Sequence, residues 1–555
     1  MQTTNKYSAI YYVGLGIVFI YAMLIFGGFV NLIFGQSLTA LTAPLSVISF
    51  LALFSFYLNR TAQFNWLKSF VIPIFSISVL GICLWWATFY HETLFDAIWY
   101  HHDAVYNLAK SWNPYKRYLA EEETAYCFYY LNYFPIGNWV YGASIYMFTQ
   151  TIEAAKGISL ALILASSFIL CGGLLANNFA WSKWKSIIIG ILISLNPITL
   201  LNLFTFYLDG PIAIVLSLGI IFIAVQIFGK DETAWLPAFI CFAVLTHLKI
   251  TGTVYTVIFM LVFAILVVIK SAINWRIWLV RFSLFVILVV GIFGYHPFIS
   301  NTIDKGHPFF PVVENPEINF FGDVNYPENF KGLNRFEKFT ISLYSEAGWI
   351  RTPNVTKFKA PFTFDGLGSY GSGIPDISAF GPLFQEAFSL ALIVFLLGLI
   401  FNKDKKYKWF MLGFTLVLLI SIFINPEAYI FRYVPHFWLL TVVFAASLWE
   451  HAQLKWLSFI CLLGLFFNVY RMEVKVISSV NQKTKELNSY LELLMGNEDE
   501  YLIDSGWAKS FKMRLGENKI DTSKLVWISP TDTPFTELPG SLGGKFKLRS
   551  ALIAQ

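Results

Sequence analysis

Long apolar runs recur along this chain of 555 residues, and they constrain its fold more than any other feature. A helix needs about 20 apolar residues to cross the hydrocarbon core of a bilayer. The composition, 57% hydrophobic and only 13% charged, leaves too few polar residues to cover a water-soluble fold of this size. We therefore predict an α-helical polytopic membrane protein with about thirteen transmembrane helices. The runs cover residues 9–34, 42–58, 69–90, 138–176, 186–207, 211–229, 236–251, 253–270, 279–297, 382–402, 408–425, 430–449 and 453–470.

The predicted spans divide the chain into a transmembrane domain, residues 1–470, and a C-terminal tail, residues 471–555. The block 138–176 is too long for one crossing, so its first part is predicted to be interfacial or tilted. The tail has a helical pattern and short strand-like runs, which predict a small and thin α/β domain.

Positive residues cluster in alternate short loops, which predicts the orientation of the chain. These loops lie on one side of the membrane if the N-terminus is cytoplasmic, and an odd number of crossings then places the C-terminus outside. The first run is too long for a signal peptide and is predicted to be a retained span. Loops 91–137 and 298–381 and the tail would lie on the outer, periplasmic side of a cell inner membrane. The positive residues are Arg60, Lys68, Lys183, Lys185, Lys230, Lys270, Arg276, Arg281, Lys403, Lys405, Lys406 and Lys408.

The charge and cysteine patterns exclude several classes of function. The net charge of +5 is distributed over short loops, so a nucleic-acid partner is not expected. Of five cysteines only Cys127 falls in a predicted outer loop, and no spacing is typical of zinc or redox chemistry. His101 and His102 would diverge by about 100° on a helix, which does not favour a shared metal ion. We predict no cofactor and no metal site, and a divalent metal is not favoured.

Loop 91–137 contains the first candidate site. Glu92, Asp96, Tyr100 and Asp103 recur at spacings of four, four and three, which places them on one face of a helix. Such a helix could present a carboxylate to a cavity at the membrane surface, although a solvated acidic face without a function has the same spacing. Asp103, between two histidines and Tyr106, is our first candidate for a general base, and Asp96 is the second.

Further candidates lie at the predicted outer ends of other spans. Asp209 precedes a Gly-Pro pair, where it could equally cap a helix. Lys249 and Arg432, which is followed by Tyr433, lie at membrane depth, where a cation is costly unless it is paired or hydrated, so both are candidates for binding an anionic headgroup. Snorkelling to the interface is the alternative interpretation. His307 lies in a Gly-His-Pro turn, and the glycine-rich stretch that includes Asp365 and Asp376 is interpreted as a mobile cover.

The order of these motifs along the chain, and their predicted location on one side of the membrane, resemble the GT-C superfamily of integral membrane glycosyltransferases. The resemblance rests on Asp103, the Tyr207–Asp209 turn, the Gly306–Pro311 stretch, Gly381–Phe384 and Arg432-Tyr433, and it covers about residues 90–470. It implies transfer of a sugar from a polyprenyl-phosphate carrier to a glycan, lipid or protein acceptor, with a loop carboxylate, here Asp103, as the general base. Many members have two acidic residues close together in this loop, whereas here two histidines precede Asp103, so we favour a metal-independent mechanism. The candidates for binding substrate are His102, Tyr106, Asp209, Lys249, His307, Arg432 and Tyr433.

Two other classes of membrane protein would need similar residues and loops. A transporter or flippase of lipid-linked sugars would need the phosphate-binding cations but no base, and an O-antigen-type polymerase would also have many spans and large outer loops. A transporter is expected to place polar residues near the bilayer midplane. Here the candidates gather at the ends of the spans, which favours an enzyme that acts at one membrane surface.

Overall fold

The protein is described by a computed structural model. The described residues are 6–124, 127–179, 181–229, 231–270, 275–313, 327–350, 355–495, 501–504, 511–520, 525–527, 536–537 and 545–548. Most of them are helical. The α-helices are α1 (Ala9–Ile33), α2 (Thr42–Thr61), α3 (Trp66–Ala87), α4 (His102–Ala109), α5 (Glu121–Thr124), α6 (Phe128–Tyr133), α7 (Gly137–Thr149), α8 (Ile158–Ile169), α9 (Leu175–Phe179), α10 (Lys183–Ser194), α11 (Pro197–Leu201), α12 (Asp209–Phe228), α13 (Trp235–Leu248), α14 (Ile250–Lys270), α15 (Trp275–Val286), α16 (Ser300–Lys305), α17 (Arg335–Leu343), α18 (Ser369–Ser372), α19 (Phe384–Phe401), α20 (Lys405–Phe423), α21 (Phe437–Ala445), α22 (Lys455–Met495) and α23 (Phe511–Glu517).

Ten helical segments among the described residues are long and apolar enough to cross a membrane. This confirms the prediction of a helical polytopic membrane protein. The count of about thirteen crossings stays a prediction, because three of the predicted runs fold as shorter helices. The ten segments are Ala9–Ile33, Thr42–Thr61, Trp66–Ala87, Ile152–Phe179, Asp209–Phe228, Ile250–Ile269, Trp275–Ile292, Phe384–Phe401, Lys405–Phe423 and Lys455–Glu492.

Each of the three shorter runs is interrupted for a local reason. Run 186–207 breaks at Asn196-Pro197, where the Asn196 side chain accepts the N–H of Ile198 and starts a new helix. Run 236–251 breaks where Lys249 adopts an extended backbone between α13 and α14. Run 430–449 begins with a 3₁₀ turn, Phe431–Tyr433, ahead of α21. Two of these three breaks carry the candidate cations Lys249 and Arg432.

The core is built around α1, which packs against α2, α3, α7 and α8. Close approach of α1 to α8 depends on Gly14, since a Cβ there would lie 2.6 Å from the carbonyl oxygen of Ala165. Small residues at such crossings allow helices to pack tightly where lipid provides no hydrophobic driving force. Helix α7 and the 3₁₀ turn Ile152–Gly157 precede α8, in the position where the sequence predicts an interfacial segment.

The tail begins within a long helix, because α22 continues without a break across residue 470. Its described strands are β1 (Tyr501–Asp504), β2 (Leu525–Trp527), β3 (Thr536–Glu537) and β4 (Lys545–Leu548), in the order β2-β1-β4-β3. Strands β1 and β2 are parallel, and β4 is antiparallel to both of its neighbours. An independent α/β tail domain stays a prediction, since much of 496–555 lies outside the described residues.

Helix α23 of the tail contacts the membrane-spanning part through buried charges. One guanidinium nitrogen of Arg514 lies 3.0 Å from a carboxylate oxygen of Glu153, whose other oxygen lies 2.7 Å from the Lys156 ammonium. The same Arg514 nitrogen donates to the backbone carbonyl of Glu92. All three side chains of this network are at most 3% exposed. The tail therefore helps to hold the start of loop 91–137 in place.

Substituting Arg514 with Leu is expected to destabilise the fold. Removing one partner of a buried ion pair leaves an uncompensated charge, which costs about 3 kcal/mol or more. A thermal unfolding curve of the purified protein should shift to lower temperature. Lys519→Gln, at an exposed position of the same segment, serves as the control and should leave the curve unchanged. Equal melting temperatures for the wild type and Arg514→Leu would contradict a stabilising role for this contact.

Candidate functional site

A cavity of about 520 Å³ opens where several helices end on one side of the bundle. Its walls come from the junction of α13 and α14, the segment that follows α20, the 3₁₀ turn Phe431–Tyr433 and parts of loops 91–137 and 298–381. Polar and apolar residues share the lining: Asp96, Lys249, Asp376, Glu427 and Arg432 on one hand, and Trp99, Ile250, Val254, Phe309 and Ile424 on the other. The cavity can therefore hold a ligand with both charged and apolar parts.

Arg432 lies at the centre of the charged cluster. One of its terminal nitrogens lies 3.0 Å from a carboxylate oxygen of Asp376, and the other lies 3.9 Å from oxygens of both Asp96 and Asp209. Although burial alone lowers the pKa of Arg432, the carboxylates, Asp376 foremost, raise it above its ordinary value. The guanidinium therefore stays charged and offsets part of the negative charge of these carboxylates, which would otherwise repel an anionic ligand.

Lys249 supplies the second cation. Its ammonium lies 2.8 Å from Asp209, the first residue of α12, and 4.8 Å from the centre of the Tyr433 ring. Asp209 is 2% exposed, whereas Lys249 retains 23% of its side-chain surface. Asp209 is thus buried and fixes the position of the Lys249 ammonium, whereas Lys249 itself reaches the cavity.

Asp96 is the carboxylate best placed to react with a ligand. Its side chain is 19% exposed and lines both the main cavity and a small adjoining one that includes Asp209. Its backbone N–H donates to the Tyr207 hydroxyl at 3.2 Å, which fixes the chain at this point. At 3.9 Å, Arg432 is near enough to attract the Asp96 carboxylate but too far for a direct hydrogen bond.

Asp103, the first candidate base, lies elsewhere. Its side chain is 1% exposed and is not among the described residues that line the cavity. The reason is the π-helical turn Ala97–His101, whose wider turn rotates the residues after it relative to those before it. Asp96 and Asp103 therefore do not share one helical face. Glu92, also predicted on that face, precedes the helix and accepts the N–H groups of Leu94 and Phe206.

Three of the other predicted binding residues also lie outside the described cavity wall. His102 packs edge-on against Phe206, and burial lowers its pKa to about 3. Tyr106 contacts Lys110, with the ammonium 5.9 Å from the ring centre. His307 accepts the backbone N–H of Phe309 and so orients a turn whose Phe309 does line the cavity. The structure thus brings together Asp96, Asp209, Lys249, Arg432 and Tyr433.

Two acidic residues of the cavity have roles that the sequence interpretation missed. Asp376, which the sequence predicts to be part of a mobile cover, is the closest carboxylate to Arg432, and no sequence motif predicts a role for Glu427. The available signal for Glu427 was its position, in the short gap between two apolar runs directly after Asn425-Pro426. No group of three or more His, Cys, Asp or Glu within the described residues could hold a metal ion. The expectation of a metal-independent site stays a prediction.

The stability of the protein is expected to fall as the pH rises from about 4.5 to about 7, in part because of Glu427. Burial raises the pKa of Glu427 from 4.5 to about 7, although Arg432 opposes the shift. The folded state therefore binds a proton that the unfolded state has lost in this range, and that stabilisation disappears above the higher value. Melting temperatures measured across this range should vary less in Glu427→Gln than in the wild type. The control is Glu232→Gln, at an exposed position, which should show the same dependence of melting temperature on pH as the wild type. If Glu427→Gln also shows the wild-type dependence, the assignment to Glu427 is refuted.

Neither protein-family models nor characterised proteins match this chain. Only the geometry of the site and its chemistry therefore bear on function.

Proposed function

We propose that this protein is a membrane glycosyltransferase that moves a sugar from a polyprenyl-phosphate carrier to a glycan, lipid or protein acceptor. The observation that carries the proposal is the partly exposed Asp96 carboxylate, 3.9 Å from Arg432, in a cavity that Lys249 also lines. Sugar transfer needs a base for the acceptor and positive charge for a phosphate leaving group. Both kinds of group border this one cavity.

In the proposed reaction, the acceptor oxygen or nitrogen attacks the anomeric carbon of the donor while the bond from that carbon to the phosphate oxygen breaks. Asp96 accepts the proton that the acceptor loses. Arg432 and Lys249 stabilise the negative charge that develops on the phosphate, and Arg432 can do so through the terminal nitrogen that does not contact Asp376. Asp209 and Asp376 hold these cations in position. The step requires no cofactor, and a metal is not favoured.

The apolar lining supports a lipid-linked donor. Ile250 and Val254 belong to α14, a helix long enough to span the membrane, and Ile424 directly follows α20, another such helix. A prenyl chain could therefore lie along these residues while its phosphate reaches Arg432. The aromatic rings of Tyr100 and Tyr130, stacked with centres 4.9 Å apart at the cavity, are suited to packing against a sugar.

The proposed setting is the cell inner membrane, with the N-terminus cytoplasmic, the cavity periplasmic, about thirteen crossings, and a periplasmic α/β tail domain over residues 471–555. The distribution of Lys and Arg over short loops supports this orientation. The position of the cavity at one end of the spans favours a surface enzyme over a transporter or flippase, which would need access from both sides.

The proposal is tested in cells that lack this protein, by mass spectrometry of their polyprenyl-phosphate sugars and surface glycans. We expect the loss of one sugar from a glycan and the accumulation of its lipid-linked donor, with rescue by the wild-type gene but not by Asp96→Asn. Rescue by Lys331→Gln, at an exposed position, controls for expression. Unchanged glycans and lipid-linked sugars would overturn the proposal, and full rescue by Asp96→Asn would favour the flippase, which needs no base.

A further inference from the structure

A second cavity, of about 270 Å³, lies at the opposite end of the bundle. It forms where α1 begins, where α2 ends and where α12 connects to α13. Asp209 of the charged cluster is the first residue of α12, and Asp231 of this second cavity follows the end of that helix. Since α12 has 20 residues, the two sites are about 30 Å apart, the thickness of a bilayer core. The second cavity is therefore separate from the proposed glycosyltransferase site.

Four tyrosines and one buried carboxylate line this cavity: Tyr7, Tyr11, Tyr12, Tyr57 and Asp231. Asp231 is 9% exposed and accepts hydrogen bonds from the Tyr7 hydroxyl at 2.7 Å and from the hydroxyl and N–H of Thr233. Within the part of the chain that the structure describes, no lysine, arginine or histidine forms an ion pair with Asp231. A buried carboxylate that is solvated only by neutral donors attracts a cation.

The tyrosine rings that line this cavity indicate which kind of cation it can bind. Aromatic rings attract a cation through their negative faces, and clusters of such rings bind ammonium groups. Lys6 adds one positive charge to the lining, and its ammonium donates to Asn178. An anion and a cation in one cavity at the membrane surface match a zwitterion, with an ammonium beside Asp231 and a phosphate near Lys6.

We propose that this cavity binds an organic ammonium group, that of a zwitterionic phospholipid headgroup such as phosphatidylethanolamine. The volume of about 270 Å³ suits a headgroup and is below the usual range for larger organic ligands. The cavity lies at the ends of α1, α2 and α12, three helices long enough to span the membrane, where lipid headgroups lie. This inference does not depend on the proposed glycosyltransferase activity.

The experiment is native mass spectrometry of the purified full-length protein with an equimolar mixture of phosphatidylethanolamine and phosphatidylglycerol of matched acyl chains. We expect the wild type to retain more phosphatidylethanolamine and Asp231→Asn to lose that preference, a change of about tenfold. Glu232→Gln, the exposed neighbour, should keep it. If Asp231→Asn does not fold, Tyr57→Leu, which removes one ring but keeps apolar bulk, should also weaken the preference.

A second experiment distinguishes a lipid ligand from a soluble amine. Free ethanolamine is titrated while the melting temperature is measured, with ethylene glycol as the uncharged control. Ethanolamine could raise the melting temperature of the wild type but not of Asp231→Asn while neither lipid is preferred. This result would support an ammonium site for a soluble ligand and would overturn the assignment to a lipid. Equal retention of both lipids together with no effect of ethanolamine would overturn the proposal entirely.

Discussion

Substituting Asp96 with Asn is expected to lower the rate of sugar transfer by about a hundredfold to ten-thousandfold, the usual contribution of a general base. Asparagine retains the size of the side chain and cannot accept the acceptor proton. Because the Asp96 carboxylate lies 3.9 Å from Arg432 rather than in a tight pair, the fold should tolerate the change. The measurement is the turnover of purified protein with the lipid-linked donor found in the deletion strain.

The matched variant is Asp103→Asn, since Asp103 occupies the position that the family resemblance assigns to the base. We expect it to retain most of the activity, because Asp103 is buried and is not among the described residues of the cavity wall. Binding of the donor should remain similar in both variants. A large loss of turnover in Asp103→Asn with full activity in Asp96→Asn would reverse the assignment of the base.

Arg432→Gln is expected to lower turnover by about a hundredfold to a thousandfold, the usual effect of losing one group that stabilises transition-state charge. Arg432 lies within 3.9 Å of three carboxylates in the free protein and, in the proposed reaction, stabilises the leaving phosphate. Arg432→Lys should recover only part of the loss, because an ammonium cannot contact Asp376 and a phosphate through two fixed nitrogens. Steady-state kinetics on folded protein should show a lower kcat as well as a higher KM.

The control for Arg432 is Lys331→Gln, which removes a positive charge from an exposed position outside the cavity. It should change neither kinetic constant. Arg432→Gln is also expected to lower the melting temperature, since it leaves Asp376 and Asp209 without that cation. A variant that melts earlier but transfers sugar at the wild-type rate would show that Arg432 has only a structural role.

The sequence by itself determined that lipid surrounds much of this protein, and it determined much of the helical architecture. Runs of about 20 apolar residues have no stable alternative to helices in lipid, because every backbone polar group must be paired within the segment. The same reasoning identified Lys249 and Arg432, since cations at membrane depth are costly and therefore stand out in a single sequence. These two residues do border one cavity with Asp96 and Tyr433.

The tertiary structure alone decided which carboxylates meet these cations. Spacing could not distinguish Asp96 from Asp103, because the π-helical turn between them depends on packing and has no signature in the periodicity. Asp376 and Asp231 reach their sites through contacts between segments far apart in the chain, to Arg432 and Tyr7 respectively. Local sequence specifies hydrophobic periodicity and helix ends, whereas the direction of a polar side chain in a loop depends on the whole packed bundle.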